Sequence, residues 1–163
     1  MPTPALSTST RYFDPGVTKC YFVPTIVDQD APTRIELDAG TDLTKEIADL
    51  SGWVVAGAQI NTPDLGTRFT GGIPGRTNAE DSSITFYSDQ EGVDVRAVLP
   101  RDTNGFILWL DGGDVTGNKM DVFPVRVLSN GKMRSIGEEA ARIQVQFAIT
   151  AEPAENVTVP ATT

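Results

Sequence analysis

The feature that most constrains this fold is a series of short apolar segments separated by glycine- and proline-rich turns. Residues 82–88 alternate as a strand does, whereas residues 89–99 carry apolar side chains at helical spacing before Pro100. Residues 106–110 and 119–128 are rich in β-branched and aromatic side chains, with Asp-Gly-Gly at 111–113 supplying a turn. This order predicts strand, short helix, strand, turn and strand.

The rest of the chain extends the same pattern. Residues 41–49 form either a short helix or an irregular connection, and Asn130-Gly131 carries the typical signal of a tight β-hairpin. The predicted fold is mainly β: a β-sandwich or barrel with one flanking α-helix and long loops. Strands are predicted at 18–24, 34–38, 53–60, 82–88, 106–110, 119–128 and 141–150.

A chain of 163 residues fits one domain, which we place at residues 11–150. Residues 1–10 form a predicted N-terminal arm that is rich in Pro, Ser and Thr and has no charged side chain. Residues 151–163 form a predicted C-terminal arm with two prolines and no aromatic side chain. Both arms either become ordered against a partner or are ends without a role.

The composition argues against most catalytic chemistry. The chain has no histidine, so a Ser-His-Asp triad, a histidine general base and the usual zinc site are excluded. Cys20, the single cysteine, is expected to be a packed free thiol. Residues 111–121 contain several carboxylates, but their spacing does not match an EF-hand loop, so a solvated turn is favoured over a metal site. We expect no catalytic residue, no cofactor and no metal.

The charge of the chain bears on its partners. The formal net charge is −9 and no cluster of Lys or Arg interrupts it, which disfavours specific binding to DNA. Residues 1–10 have neither the basic nor the apolar region of a secretory signal, and no segment is long enough to span a membrane. We therefore expect a protein made in the cytoplasm that does not bind membranes.

One segment, residues 62–81, departs from the compact pattern. It contains four glycines and two prolines, and loops of this length without secondary structure are uncommon unless they are functional or disordered. Phe69 and Ile73 lie in it, either tucked under the loop or presented to another chain. Pro124 interrupts a strand pattern, and a proline there predicts an edge strand or a bulge.

Several stretches together resemble the major tail proteins, or tail tube proteins, of long-tailed actinobacterial phages. The most specific is the IPGR segment at 73–76, followed by the strand and helix of residues 81–100. The stretches that carry the resemblance are TRYFDPGVTKCYFVP, ELDAGTDLTKEIADLSGW, PDLGTRFTGGIPGRTNAEDSSITFYSD, GVDVRAVLPRDTNGFILWLDGGD and GNKMDVFPVRV.

This resemblance implies a structural virion protein that forms hexameric rings, which stack into the tube through which the genome passes. It implies assembly in the host cytoplasm and contacts with tape measure, tail terminator and distal tail proteins, with DNA only as passing cargo. It favours an intermolecular role for Phe69 and Ile73. Together with Arg68 and Pro74 of the same segment, and with the edge strand predicted at Pro124, these are the candidate contacts between subunits. Two alternatives remain open: a monomeric or small-oligomer decoration module of a virion, and a metal-dependent enzyme using residues 111–121.

Overall fold

The computed structural model describes residues 1–162, which form ten strands and two short helices. The sequence correctly predicts a mainly β fold. In chain order the elements are β1 (Lys19–Val23), α1 (Arg34–Asp38), β2 (Thr41–Asp42), a 3₁₀ turn (Thr44–Glu46), β3 (Ile47–Ser51), β4 (Val55–Thr62), β5 (Gly71–Ala79), β6 (Ser82–Tyr87), α2 (Val95–Val98), β7 (Asn104–Leu110), β8 (Lys119–Met133), β9 (Arg142–Ile149) and β10 (Ala154–Thr158).

The main sheet is antiparallel and strongly curled. Its strand order is β2-β1-β7-β8-β9-β6-β3, so β2 and β3 are its two edges. Only residues 43–46 separate these edges along the chain. Such a link spans at most about 18 Å, whereas a flat sheet of seven strands would hold its edges about 29 Å apart. The sheet must therefore curl until β1 and β2 approach β3, which leaves a narrow seam between them.

Both faces of the central strands are buried. Ile107 and Phe123 belong to the cluster that fills the curled sheet, together with side chains of β1, β6 and β9. The neighbouring Leu108 and Val122 point the other way, into a second cluster that also holds Leu37 of α1. This two-sided burial explains why β7 and β8 appear in the sequence as nearly continuous apolar runs.

Helix α1 corrects the strand predicted at 34–38. Thr33 and Glu36 form a capping box: Glu36 N donates to Thr33 Oγ1 at 3.3 Å, and Thr33 N donates to Glu36 Oε2 at 2.7 Å. These bonds satisfy amides that would otherwise lack acceptors at the start of the helix. Leu37 is buried and attaches the helix to the second cluster.

The predicted helix and the segment left open between helix and irregular connection both differ from the structure. The helix predicted at 89–99 is reduced to α2, with Asp94 as its N-cap, because Asp89 instead accepts bonds from Glu91 N and Val93 N in a preceding turn. The uncertain segment 41–49 consists of β2, the 3₁₀ turn and the start of β3.

The hairpin predicted at Asn130-Gly131 is wrong. Both residues lie inside β8, opposite Val145 and Gln144 of β9, and neither has a positive φ. Strand β8 continues to Met133, and the chain returns through residues 134–141. Two residues that tolerate a left-handed conformation do not require one, and pairing with β9 decides their conformation.

The predicted C-terminal arm is instead part of the sheet. Strand β10 pairs with the first part of β8, and Ala154, Val157 and Val159 are buried in the second cluster. Small apolar side chains are sufficient to anchor this segment without an aromatic residue. Residues 1–10, by contrast, are exposed and contain no helix or strand.

Strand β8 is central, so the edge position predicted from Pro124 is wrong. Pro124 is buried, and β8 pairs with β7 on one side and with β9 and β10 on the other. Its carbonyl accepts a hydrogen bond from Thr150 N at 3.0 Å, where β9 has just ended and β10 has not begun. The ladder is interrupted at that point, so the missing amide proton of the proline costs little.

No helix among residues 1–162 is both long and apolar enough to cross a membrane.

Candidate assembly surfaces

The segment predicted as a long loop is a β-hairpin that stands apart from the main sheet. We define the protruding hairpin as residues 55–79: strands β4 and β5 with a tip at 63–70. The two strands pair only with each other, and Ile60 lies directly opposite Ile73. The sequence did not reveal β5 because glycines and Pro74 interrupt its pattern. A strand with a free edge tolerates them.

The protruding hairpin carries apolar side chains that residues 1–162 leave half or more exposed. Phe69 is 78% exposed, and Ile60 and Ile73 are 51% and 52% exposed. The tip has local order, because Gly66 N donates to Asp64 Oδ1 at 2.8 Å and Phe69 N donates to Thr67 Oγ1 at 3.1 Å. An isolated two-stranded hairpin is only marginally stable in water. The protruding hairpin is therefore a surface that gains stability when a partner covers it.

The structure brings together four of the five predicted contact residues. Arg68 and Phe69 lie in the tip, and Ile73 and Pro74 follow on β5, all of them exposed. Pro124 is separate from them, buried in β8. Sequence reasoning did not single out Ile60 or the exposed Leu65. Recognising β4 and β5 as a paired hairpin would have placed Ile60 beside Ile73.

A second surface lies at the seam of the curled sheet. We define the seam cavity as the space of about 570 Å³ between the start of β1 and strand β3. Its lining includes Trp53, Trp109 and Phe123, which extend the inner apolar cluster to the opening. The Trp53 ring lies 5.4 Å from that of Trp109 and 5.3 Å from that of Phe123, edge to face. The seam cavity thus has an aromatic floor.

Trp53 is held firmly in this floor. Its backbone has a φ of 64°, which is unfavourable for a bulky side chain. Trp53 N donates to Ser82 Oγ at 3.0 Å, and its Nε1 donates to Ser83 O at 3.3 Å. The indole N–H of Trp109, by contrast, is buried and has no acceptor among residues 1–162.

The rim of the seam cavity is acidic. Asp14, Asp111 and Asp121 line it, and none of them forms an ion pair within the described chain. Burial is the main cause that raises the pKa of Asp111, and the negative charges of Asp121 and Asp14 add to it. The hydrogen bonds that the other two carboxylates accept come from neutral donors, Thr18 Oγ1 and Asn156 N. The rim therefore lacks a compensating cation.

The carboxylate-rich turn after β7 has a structural partner. Asp114 accepts two hydrogen bonds from Arg34 of α1, at 2.6 and 2.8 Å, and a third from Tyr21 Oη at 3.1 Å. The bond with Arg34 is the main cause that lowers the pKa of Asp114. Among residues 1–162, no three His, Cys, Asp or Glu side chains are grouped so that they could hold a metal ion. The turn clamps α1 to the sheet.

The sequence model of the family described as "Phage tail tube protein" matches residues 7–162. The chain belongs to the phage tail tube protein family. It is therefore a structural component of the virion tail. No curated protein is significantly similar to this tail tube chain.

A solved structure supports the fold of this tail tube chain independently of sequence. A chain in the cryo-EM structure of the baseplate of the anti-feeding prophage, 6-fold symmetrised, superposes with a TM-score of 0.53. The two chains are 10% identical, and the match covers 93% of the tail tube chain and 95% of the baseplate chain. At this identity the likeness establishes a shared fold.

Proposed function

We propose that this chain is the major tail protein of a long-tailed phage: it forms hexameric rings that stack into the tail tube, the conduit for genome delivery. The observation that carries the proposal is the family match over nearly the whole chain, residues 7–162. The resemblance of its sequence to the proteins of actinobacterial phages favours a host of that group. The six-fold symmetry of the related baseplate favours rings of six.

The protruding hairpin supports assembly into stacked rings. It carries apolar side chains away from the main sheet, where the described part of the chain leaves half or more of their surface exposed. Burying apolar surface contributes about 25 cal/mol per Å², so its burial against a neighbouring ring would stabilise both the hairpin and the stack. Arg68, Phe69, Ile73 and Pro74 are the proposed contacts. Pro124 is not among them, because it lies inside the sheet.

The composition supports a passive conduit rather than a DNA-binding machine. A net charge of −9 without a basic cluster gives DNA phosphates no strong attachment. Tape measure, tail terminator and distal tail proteins are the expected partners at the inside and the ends of the tube, with assembly in the host cytoplasm. The role needs no catalytic residue, cofactor or metal.

Electron microscopy and sedimentation of the purified protein test this proposal. At high concentration, or with an initiator complex from the tail tip, we expect rings and then tubes. A protein that stays monomeric over a wide concentration range, and is absent from tubes in infected-cell lysates, would contradict the proposal and favour a decoration module instead.

A further inference from the structure

We propose that the seam cavity is the docking site for the Arg68 side chain of a second copy of this chain. This inference rests on the proposed self-assembly and names the surface that receives the hairpin tip. It joins two surfaces that are unsatisfied for opposite reasons: a cavity with carboxylates that lack a cation, and a tip with a cation that lacks an anion.

The seam cavity has the chemistry that a guanidinium group requires. Trp53 and Trp109 line the cavity, and aromatic rings attract a planar cation. Asp14, Asp111 and Asp121 offer acceptor oxygens around them. Placing a cation there would relieve the mutual repulsion of the three carboxylates.

Trp109 gives a second, independent sign that the cavity lacks an occupant. It is only 9% exposed and lines the cavity, yet its indole N–H has no acceptor within the described chain. Buried donors are nearly always paired. The unpaired donor shows that the floor of the cavity is not fully satisfied within one chain.

The tip of the protruding hairpin is the matching surface. Arg68 is exposed and forms no ion pair among residues 1–162. Phe69 beside it is exposed and apolar, so an aromatic-floored cavity suits both side chains. The hairpin has two arginines and one aspartate, whereas the whole chain carries a charge of −9. It is therefore attracted to the acidic surface of other copies.

The contact must be made between copies. Strand β4 has eight residues, which span about 26 Å at the usual rise, and it begins two residues after Trp53 of the cavity. The extended hairpin thus carries Arg68 away from its own seam cavity. A neighbouring copy is the one that can supply the tip.

Cross-linking of full-length chains tests the contact while keeping Arg68. One chain carries Thr67→Cys at the tip and the other carries Leu50→Cys on the cavity rim, and a short bismaleimide joins them. The native Cys20 is 1% exposed and does not compete. The matched control replaces Thr67→Cys by Thr77→Cys, which lies at the base of the same hairpin. We expect about tenfold more tip-to-rim heterodimer than base-to-rim heterodimer, as a raised effective concentration dictates.

Charge reversal then tests Arg68 itself. Arg68→Glu should reduce the tip-to-rim product to the level of the control. Asp111→Arg in the partner chain should restore it, provided that circular dichroism shows both variants folded. Equal tip and base yields, or a tip yield that Arg68→Glu leaves unchanged, would overturn the inference. If one of these results overturns the docking contact but wild-type chains still form tubes, the proposed function stands. If neither tubes nor the tip-to-rim product form, both fail.

Discussion

At the scale of single residues, the Arg34–Asp114 pair should be the most valuable polar contact of the monomer. Both side chains are mostly buried, and Tyr21 completes the set of bonds to Asp114. Asp114→Asn should destabilise the unassembled protein by about 1–3 kcal/mol, because Arg34 would lose its charged partner. Urea unfolding at low protein concentration measures the change. Asp102→Asn is the matched control, since its contact with Arg126 is long and exposed, and it should change stability by less than about 0.5 kcal/mol.

The same pair has a pH signature with a defined sign. The pKa of Asp114 is lowered in the folded state, so its contribution is fully present above the ordinary pKa of 3.8. The contribution is lost as the pH falls from there through the lowered folded value. Wild type should therefore lose more stability than Asp114→Asn over this acid range. Parallel pH profiles of the two proteins contradict the assignment.

At the scale of elements, the protruding hairpin should matter for assembly and hardly at all for folding of the monomer. Replacing Phe69 and Ile73 by Ser should leave the thermal midpoint of the monomer nearly unchanged, because exposed positions contribute within about ±0.5 kcal/mol. Stacking into tubes should be abolished, as seen by electron microscopy. Replacing Ile35 and Val93, which are at least as exposed, by Ser is the control, and those tubes should form. A large drop in the midpoint would place Phe69 and Ile73 in a small core.

The two ends of the chain should behave differently when removed. Deleting residues 154–163 strips Ala154, Val157 and Val159 from the second cluster, so it should cost about 3 kcal/mol or more. Deleting residues 2–10 removes only exposed backbone without secondary structure and should leave unfolding of the monomer unchanged. Thermal denaturation of both truncated proteins checks this contrast. Equal losses of stability would mean that β10 does not stabilise the second cluster.

The sequence predicts an element well when the residues that specify its structure lie within that element. Strands β1, β6, β7 and β9 were predicted near their observed positions because their own β-branched and aromatic residues favour them. Helix α1 was missed although Thr33 and Glu36 carry a readable capping box. Of the candidate surfaces, Phe69 and Ile73 were found because apolar residues in a glycine-rich segment are unusual. The seam cavity was beyond sequence reasoning, because only the curl of the sheet brings Trp53 to Trp109.

At the scale of the whole molecule, the acidic balance should keep assembled tubes from holding the genome. With a charge of −9 per chain, double-stranded DNA should not cosediment with tubes at about 0.15 M salt, where charges are screened beyond about 8 Å. A basic DNA-binding protein serves as the positive control in the same assay. Retention of DNA by wild-type tubes at micromolar concentration would show that the charge balance does not serve passage.

The aromatic floor of the seam cavity also makes this protein its own optical reporter. Trp53 and Trp109 are the only tryptophans of the chain, so all of its indole fluorescence originates at the seam. Their rings lie 5.4 Å apart, close enough for their excited states to couple and to shape the near-ultraviolet circular dichroism. Trp109 is already buried, so a segment that covers the seam removes water mainly from the half-buried Trp53 and should shift the emission of Trp53 to the blue. Docking can therefore be followed in unlabelled protein, in real time, while the tube grows.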